Sequence, residues 1–457
     1  MMEQTIAAVS TGHAASGIHI IRISGPEAIR IGDRVFAGRK PLGKVKSHTI
    51  HHGFIRFDGE DYDEVLVSVM KAPHTYTGED TVEINCHGGL LVTNRVLELV
   101  LSQGARLAEP GEFTKRAFLN GKMDLTRAEA VADLIGAENR FAVKASLSQL
   151  KGTLERKVRE MRTRILDEVA YIEAALDDPE HYDLDGYGET LSGHVREIHG
   201  EIRELLRTFD SGKILKEGIR TVIAGLPNAG KSSLLNLLSG SERAIVTPVA
   251  GTTRDVLEVP VRLGDISLLL MDTAGLRKTG DPVEQIGVDR AEKAIREADL
   301  VLYVTDSEKG FLPEDREILK TLDPRKVIVL SNKTDLLADH SPAGSGEPIP
   351  EAYEVLPFSA LTGEGLETLE DAVLKRFLSA EIIENEQVFV TNLREKMCLQ
   401  EAEESLVLVE EGILCAVGEE VLTIDLMNAY TALGKIIGES VGEDVIDRIF
   451  EKFCMGK

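Results

Sequence analysis

Hydrophobic and polar positions change their spacing several times along the chain, and these changes divide it into regions. Residues 1–120 carry short runs of β-prone residues separated by Gly, Pro and Asn, a pattern that predicts strands. The clearest runs are 17–24, 63–70 and 80–85, and a helical stretch at 90–102 follows them. This region therefore predicts a compact α+β domain.

Helical spacing replaces this pattern from residue 126 to about residue 209. Apolar residues recur at helical intervals, which predicts helices with one buried face. The acidic, turn-rich segment 177–188 interrupts them, and residues 380–457 return to the same spacing. The apolar positions that carry the pattern in the first part include Leu147, Leu150, Leu154, Val158, Met161 and Ile165.

Between these helical parts, strands and helices alternate, which predicts a parallel, doubly wound α/β sheet. We expect a helical domain in two pieces with this α/β domain inserted, because insertion is easy where the ends of the insert lie close together. The predicted domains are 1–120, 121–215, 216–379 and 380–457. The predicted buried strands are 221–224, 267–271, 300–304, 327–330 and 354–357.

A phosphate-binding loop follows the first of these strands. Residues 225–232 read Gly-Leu-Pro-Asn-Ala-Gly-Lys-Ser, and a helical run comes directly after them. In this strand–loop–helix context the backbone N–H groups and the helix N-terminus bind the phosphates. Lys231 is expected to reach the β- and γ-phosphates, and the Ser232 hydroxyl is a hard oxygen ligand for Mg²⁺.

Two further motifs complete a guanine-nucleotide site. Asp272-Thr273-Ala274-Gly275 follows the second strand, where Asp272 would hold the Mg²⁺ hydration shell and Gly275 would sense the γ-phosphate. Asn332-Lys333-Thr-Asp335 follows the fourth strand, and the Asp335 carboxylate can accept two hydrogen bonds from guanine. Adenine lacks that pair of donors, so this acid selects GTP. Ser359 and Ala360 would support the base from its other edge.

The motifs identify the nucleotide-binding residues more clearly than the residues that catalyse hydrolysis. Thr252 and Thr253 lie in a loop of small and polar residues that would close over the γ-phosphate as a switch. Leu276 occupies the position where Ras-like GTPases carry a water-orienting Gln, and Leu cannot hydrogen-bond water. Asp281 and Glu284 are the nearest acids, and the residues alone do not choose between them. A monovalent cation such as K⁺, bound by Asn228, or an arginine finger would neutralise the transition state.

Composition and charge narrow the class of protein. The 457 residues suffice for two to four domains at about 100–200 residues each. The net charge of −25 predicts that any nucleic acid contact needs a local basic face or a basic partner. The four cysteines are widely spaced, as in a reducing cytosol, and no apolar stretch is long enough to span a bilayer. We therefore expect a cytoplasmic protein without membrane contact.

The motifs together resemble one family, the tRNA uridine-modification GTPases of the MnmE (TrmE) type. Besides the GTPase motifs, the resemblance includes residues 21–25 (Ile-Arg-Ile-Ser-Gly), 76–80 (Tyr-Thr-Gly-Glu-Asp), 87–89 (His-Gly-Gly) and 110–122. The terminal Phe-Cys-Met-Gly-Lys is similar to the family's tail, which usually has Ile where Met455 stands. The resemblance covers nearly the whole chain.

This resemblance implies cofactors and site residues. The N-terminal domain would resemble folate-binding domains, mediate homodimerisation and bind 5-formyl- or methylene-tetrahydrofolate. K⁺ ligands would be Asn228, Thr247, Val249 and Thr252, Mg²⁺ ligands Ser232 and Thr253, and the general base Glu284. The folate-binding positions would be Arg22, Glu83, Lys122 and Lys457, and Cys454 resembles a functional cysteine. The GTP-binding positions would be Asn228, Ala229, Gly230, Lys231, Ser232, Ser233, Thr247, Thr252, Thr253, Asp272, Thr273, Ala274, Gly275, Asn332, Lys333, Asp335, Ser359 and Ala360.

The resemblance also implies partners and a reaction. The G domains of a homodimer would meet across the nucleotide when K⁺ and GTP are bound. An FAD-dependent protein of the MnmG (GidA) type would join in a heterotetramer. Together they would add a carboxymethylaminomethyl or aminomethyl group at carbon 5 of the wobble uridine of certain tRNAs.

Plainer interpretations stand beside several of these assignments. Arg22 would suit the surface of an edge strand, His87 an ordinary turn, and Cys454 a buried thiol at a helix end. The stretch 144–164 holds seven basic and two acidic residues, and it would face tRNA, a partner or simply solvent. A GTPase switch or assembly factor for ribosome biogenesis would carry the same GTPase motifs without binding folate.

Overall fold

The computed structural model describes residues 4–182, 184–240, 259–271, 294–337, 349–377, 388–451, 453, 454 and 456. The chain divides into two compact units. The first comprises Met1–Ile135, Gln149–His199 and Cys398–Lys457, and the second Gly136–Ser148 and Gly200–Met397. Within the described ranges, no helix combines the length and the apolar character needed to cross a bilayer.

A sheet of seven strands organises the first unit, in the order β3-β4-β5-β6-β2-β1-β7. Only β1 and β7 pair in parallel among these strands. Alternate residues of the central strands, such as Ile21, Ile23, Val82 and Ile84, are buried, which reflects the two-residue repeat of a strand. The strands are β1 (Ile6–Val9), β2 (Ile18–Ser24), β3 (Phe36–Gly38), β4 (Thr49–Phe57), β5 (Glu60–Met70), β6 (Thr81–His87) and β7 (Arg106–Leu107).

The helices on this sheet and the helical part of the same unit follow the predicted spacing. Leu154, Val158, Met161 and Ile165 are buried in the helix 153–177, whereas Leu147 is exposed on the helix 140–150. The helices of the first unit are α1 (Ala28–Val35), α2 (Leu90–Ser102), α3 (Glu112–Leu119), α4 (Leu125–Gly136), α6 (Thr153–Asp177), α12 (Glu419–Ile437) and α13 (Glu443–Phe450). Helices that begin in one unit and end in the other are α5 (Arg140–Leu150), α7 (Tyr187–Glu217) and α11 (Leu393–Leu414), and α4 also enters the second unit with its last residue, Gly136.

Part of the basic stretch 144–164 is built into the helical packing. The guanidinium of Arg162 is buried, lies 4.1 Å from the centre of the Tyr430 ring and pairs with Glu439 at 2.6 Å. Arg159 pairs with the same Glu439 at 3.2 Å. These contacts join α6 to α12 and to the turn that follows it, so Arg162 is part of the helical packing, whereas Arg159 remains half exposed.

The second unit contains a six-stranded sheet in the order β13-β12-β11-β8-β10-β9. It is parallel except for the edge strand β9, which pairs antiparallel with β10 and was not predicted. The strands are β8 (Ile219–Ala224), β9 (Val259–Leu263), β10 (Ile266–Leu270), β11 (Leu300–Asp306), β12 (Val327–Asn332) and β13 (Glu354–Pro357). The helices α8 (Lys231–Gly240), α9 (Pro313–Lys320) and α10 (Leu366–Phe377) also belong to this unit.

This architecture confirms the predicted fold class. Each of the five buried strands predicted for the α/β region is present, with its bounds shifted by three residues or fewer. Strand β11 is buried over its whole length, as expected for a parallel strand covered on both faces. The proposed four-part division of the chain stays a prediction.

Candidate nucleotide-binding site

The loop between β8 and α8 depends on backbone conformations that its sequence makes possible. Gly225 has a φ of +136°, and a Cβ there would lie 2.2 Å from the carbonyl oxygen of Val304. Gly230 has a φ of +107°, and a Cβ there would lie 2.0 Å from the side-chain nitrogen of Asn332. Asn228 adopts a φ of +63°, which Asn tolerates better than most residues. The two glycines therefore allow the loop to approach Val304 and Asn332 more closely than any side chain would permit.

The Lys231 ammonium lies across this loop. Its Nζ donates to the carbonyl oxygens of Gly225 at 2.8 Å and Leu226 at 2.7 Å. Burial lowers the pKa of this lysine. The negative charge of a bound phosphate would act in the opposite direction and favour the charged ammonium. Ser232 and Ser233 follow it as exposed residues in the first turn of α8.

Asn332 joins three loops at the carboxyl ends of the strands. Its amide nitrogen donates to the carbonyl oxygen of Ala229 at 2.8 Å, and its amide oxygen accepts from the backbone nitrogen of Ala360 at 2.8 Å. The residue is buried. The phosphate-binding loop and the two predicted base-binding loops are thus held together by one side chain.

Asp335 and Lys333 are held on either side of this junction. Ser359 donates from Oγ to the Asp335 carboxylate at 2.6 Å, which orients that acid. Lys333 has a φ of +71°, and its ammonium pairs with Asp306 at 2.6 Å. Asp306 was not predicted as a site residue, although an acid at the carboxyl end of a buried strand is a signal for one.

Several predicted site residues lie outside the described residues. They are Thr247, Val249, Thr252 and Thr253 of the switch loop and Asp272, Thr273, Ala274 and Gly275 of the second motif. The position Leu276, the two candidate catalytic acids Asp281 and Glu284, and the terminal Lys457 also lie outside them. Among the described residues, no group of three or more His, Cys, Asp or Glu side chains is arranged to hold a metal ion.

A second polar cluster lies on the sheet of the first unit. Arg22 donates from Nε to Glu83 at 2.8 Å, and its guanidinium lies 5.7 Å from the ring centre of Tyr76 and 5.6 Å from that of Phe113. Strand β2 is an interior strand, so Arg22 is not an edge-strand charge. Lys122 is exposed, and its Nζ donates to the carbonyl oxygen of Pro73 at 2.9 Å.

The tail of the chain is attached to the same unit. Ser10 donates from Oγ to the carbonyl oxygen of Gly456 at 2.9 Å, and the backbone nitrogen of Gly111 donates to the carbonyl oxygen of Cys454 at 3.3 Å. Cys454 is exposed and follows α13, so it is not a buried thiol. His87, for which an ordinary turn was the plainer interpretation, is the last residue of β6 and hydrogen-bonds Asp63 through Nδ1 at 2.6 Å.

Comparisons with known proteins agree over the whole chain. A family model described as the GTP-binding protein TrmE N-terminus matches residues 5–122, and one described as the MnmE helical domain matches residues 125–454. The tRNA modification GTPase MnmE of Lachnoclostridium phytofermentans is 49% identical over 460 residues, covering 100% of both chains. The chain belongs to the MnmE family of tRNA modification GTPases.

Other MnmE relatives are similarly close. The protein of Acetivibrio thermocellus is 44% identical, covering 100% of this chain and 99% of its own. A solved structure of an Era variant from Aquifex aeolicus, bound to GDP and aluminium fluoride, is 28% identical, covers 42% of this chain and 67% of its own, and has a TM-score of 0.26. As an MnmE-family member, the chain is a GTPase of tRNA modification, which disfavours the ribosome-assembly hypothesis.

Proposed function

We propose that this GTPase, with an FAD-dependent partner of the MnmG type, adds a carboxymethylaminomethyl or aminomethyl group at carbon 5 of the wobble uridine of certain tRNAs. The observation that carries the proposal is the full-length likeness to MnmE tRNA modification GTPases, and the nucleotide-binding loops and the Arg22–Glu83 pair are consistent with it. Deleting the gene and analysing wobble uridines by mass spectrometry tests it. Loss of the modified uridine is expected, and unchanged uridines would overturn the proposal.

GTP binding is assigned to the loops at the carboxyl ends of the second unit's strands. The carboxylate of Asp335 would accept the ring N–H and the exocyclic amine of guanine, and its hydrogen bond to Ser359 orients it for this. Lys231 would move from the carbonyl oxygens of Gly225 and Leu226 to the phosphates. Asp335→Asn should shift the preference from GTP toward xanthosine triphosphate, and an unchanged preference would contradict the assignment.

Mg²⁺ and K⁺ are proposed as cofactors, with Ser232 and Thr253 as Mg²⁺ ligands and Asn228, Thr247, Val249 and Thr252 as K⁺ ligands. Asn228 fits this role because it is an exposed residue of the loop and carries an amide oxygen. GTP hydrolysis should be faster in KCl than in NaCl at equal ionic strength. Asn228→Gly keeps the positive φ but removes the amide, so it should abolish that difference.

Folate binding is assigned to Arg22, Glu83, Lys122 and Lys457. The ion pair of Arg22 and Glu83 lies beside aromatic rings, which suits a flat heteroaromatic ligand with N–H donors. A bound methylene-tetrahydrofolate would supply the one-carbon unit. Titration with 5-formyl-tetrahydrofolate should give weaker binding for Glu83→Gln than for the unaltered protein, and equal binding would count against the site.

Homodimerisation through the first unit is supported by the outer face of its sheet. The side chains of Ile18, Ile50 and Leu66 are 63%, 66% and 48% exposed on this face. Several exposed apolar side chains on one face are typical of a protein–protein interaction surface. Sedimentation of the unaltered chain and of Ile50→Glu tests this surface, and only the altered chain should dissociate.

A cytoplasmic location is proposed as well. The four free cysteines accord with such a reducing setting.

A further inference from the structure

Asp306 is the last residue of β11, and its carboxylate is buried beside the Asn332–Asp335 loop. Only 8% of its side chain is exposed. The residue pairs in register with Asn332 of the neighbouring strand β12. One carboxylate oxygen accepts from the backbone nitrogen of Glu308 at 3.1 Å, and the other accepts from Nζ of Lys333 at 2.6 Å. The hydrogen bond from Glu308 therefore holds the Asp306 carboxylate independently of its contact with Lys333.

Lys333 is consequently held at both ends. Its backbone adopts a φ of +71°, a conformation stabilised by the next residue, Thr334, whose backbone nitrogen donates to the carbonyl oxygen of Phe358 at 3.2 Å. Its ammonium is held by Asp306. A lysine side chain otherwise loses up to about 2 kcal/mol of rotamer entropy when it is ordered, so this anchoring removes a cost that ligand binding would have to meet.

Ser307 reinforces the same support one residue further along. Its backbone nitrogen and its hydroxyl both donate to the carbonyl oxygen of Asn332, at 2.9 Å and 2.6 Å. The residues at the end of β11 thus bind two consecutive residues, Asn332 and Lys333. Asp306 holds the side chain of Lys333, whereas Ser307 holds the backbone of Asn332.

We propose that Asp306 is a positioning residue for nucleotide binding, which acts by laying the alkyl stem of Lys333 along one face of the guanine ring. The four carbons of a lysine stem cover apolar surface well when the ammonium is held elsewhere. Without Asp306 the ammonium is free to take other rotamers, and the stem leaves the base. This inference rests on the guanine site proposed above.

The test measures dissociation of fluorescently labelled GDP from the full chain and compares Asp306→Ala with Lys333→Met. Asp306→Ala should accelerate dissociation about tenfold, the equivalent of about 1.4 kcal/mol. The double variant should be no faster than the faster single variant, because Asp306 acts through Lys333. The inference would be overturned if the dissociation rate of the double variant rose by the product of the two single-variant factors, or if the rate of Asp306→Ala were unchanged.

Further arms separate positioning from a structural role and from failure of the guanine site. The KM for GTP should rise in Asp306→Ala while kcat stays constant, and a fall in kcat alone would overturn the inference. Lys309→Ala, which changes an exposed side chain three residues further along, is the matched control and should release GDP at the rate of the unaltered protein. Should Asp306→Ala not fold, Asp306→Asn, which keeps an acceptor for Glu308, replaces it in the cycle with the same expectation.

Inosine diphosphate distinguishes the two proposals because it lacks the amino group assigned to Asp335. Asp306→Ala should weaken GDP and inosine diphosphate by the same factor, since the contact with Asp335 is intact. Asp335→Asn should remove the preference for GDP over inosine diphosphate. If Asp335→Asn has no effect, the guanine site is wrong, whereas a lost preference in Asp306→Ala would overturn the positioning role alone.

Discussion

The side-chain amide of Asn332 donates to the carbonyl oxygen of Ala229 at 2.8 Å, although 103 residues separate them in sequence. This bond joins the phosphate-binding loop to the loop assigned to the base. The second end of the amide holds the backbone nitrogen of Ala360. The geometry of the phosphate and base ends of the site is therefore set by one buried side chain.

Asn332→Ala is expected to weaken GDP binding about a hundredfold, since tenfold in affinity corresponds to about 1.4 kcal/mol. The change leaves two buried backbone groups without partners, each at a cost of about 1–3 kcal/mol. A fluorescent-GDP titration measures the effect. Thr362→Ala, which alters a residue of the Ser359 loop without touching Asn332, is the control and should bind GDP normally. Normal binding by Asn332→Ala would contradict this role.

Gly456→Ala should release the tail from the first unit. Gly456 has a φ of +86°, and a Cβ there would lie 2.2 Å from the carbonyl oxygen of Val9, so the substitution meets both strain and a clash. Amide hydrogen exchange should accelerate in the peptide that covers 451–457. Gly442→Ala, at a position with an ordinary φ and open space, should leave exchange there unchanged. Equal exchange in both variants would show that the tail is not held by this contact.

Asp124→Asn should stabilise the protein, and more so as the pH rises. Burial, with the neighbouring carboxylate of Glu155, raises the pKa of Asp124 to about 6, against about 3.9 in an unfolded chain. A raised folded pKa means that the stability present below about pH 4 is lost as the pH rises through about 6. Asparagine keeps the oxygen that accepts from the backbone nitrogen of Thr126 but carries no charge.

Calorimetric melting temperatures from about pH 4 to pH 6.5 measure this effect, because between the unfolded pKa of about 3.9 and the folded pKa of about 6 the folded state binds a proton at Asp124 that the unfolded chain has lost. The melting temperature of Asp124→Asn should exceed that of the unaltered protein increasingly as the pH rises. Asp444→Asn, which changes an exposed acid, should show no such trend. A constant difference across the range would mean that Asp124 does not hold a raised pKa.

Glu284→Ala is expected to lower GTP turnover by about 10²–10⁴-fold, the usual contribution of a general base. GDP affinity should stay nearly unchanged, because the residue is assigned to the attacking water and not to the nucleotide. Asp281→Ala is the matched control from the same segment and should turn over GTP normally. A large loss of GDP binding in Glu284→Ala would mean that the residue is structural, and a slow Asp281→Ala would exchange the two roles.

Local pattern predicted much of the fold and the described part of the site. Strands 327–330 and 354–357 and helix 90–102 were predicted closely because apolar periodicity follows from local geometry. The edge strand β9 was not predicted because Pro260 and Arg262 interrupt its apolar run, and a proline within a run argues against a central strand. Asp306 was missed because its partner Lys333 lies 27 residues away, and no periodicity relates the two.

The sequence by itself determined the family, the order of the GTPase motifs and the alternation that makes the second unit an α/β sheet, since these depend on neighbouring residues. Only the tertiary structure decided that Ser10 meets Gly456, that Arg22 lies on an interior strand between Tyr76 and Phe113, and that Arg162 is buried against Tyr430. Such contacts form between distant segments, and their partners are chosen by strand order and side-chain packing, which no local spacing encodes.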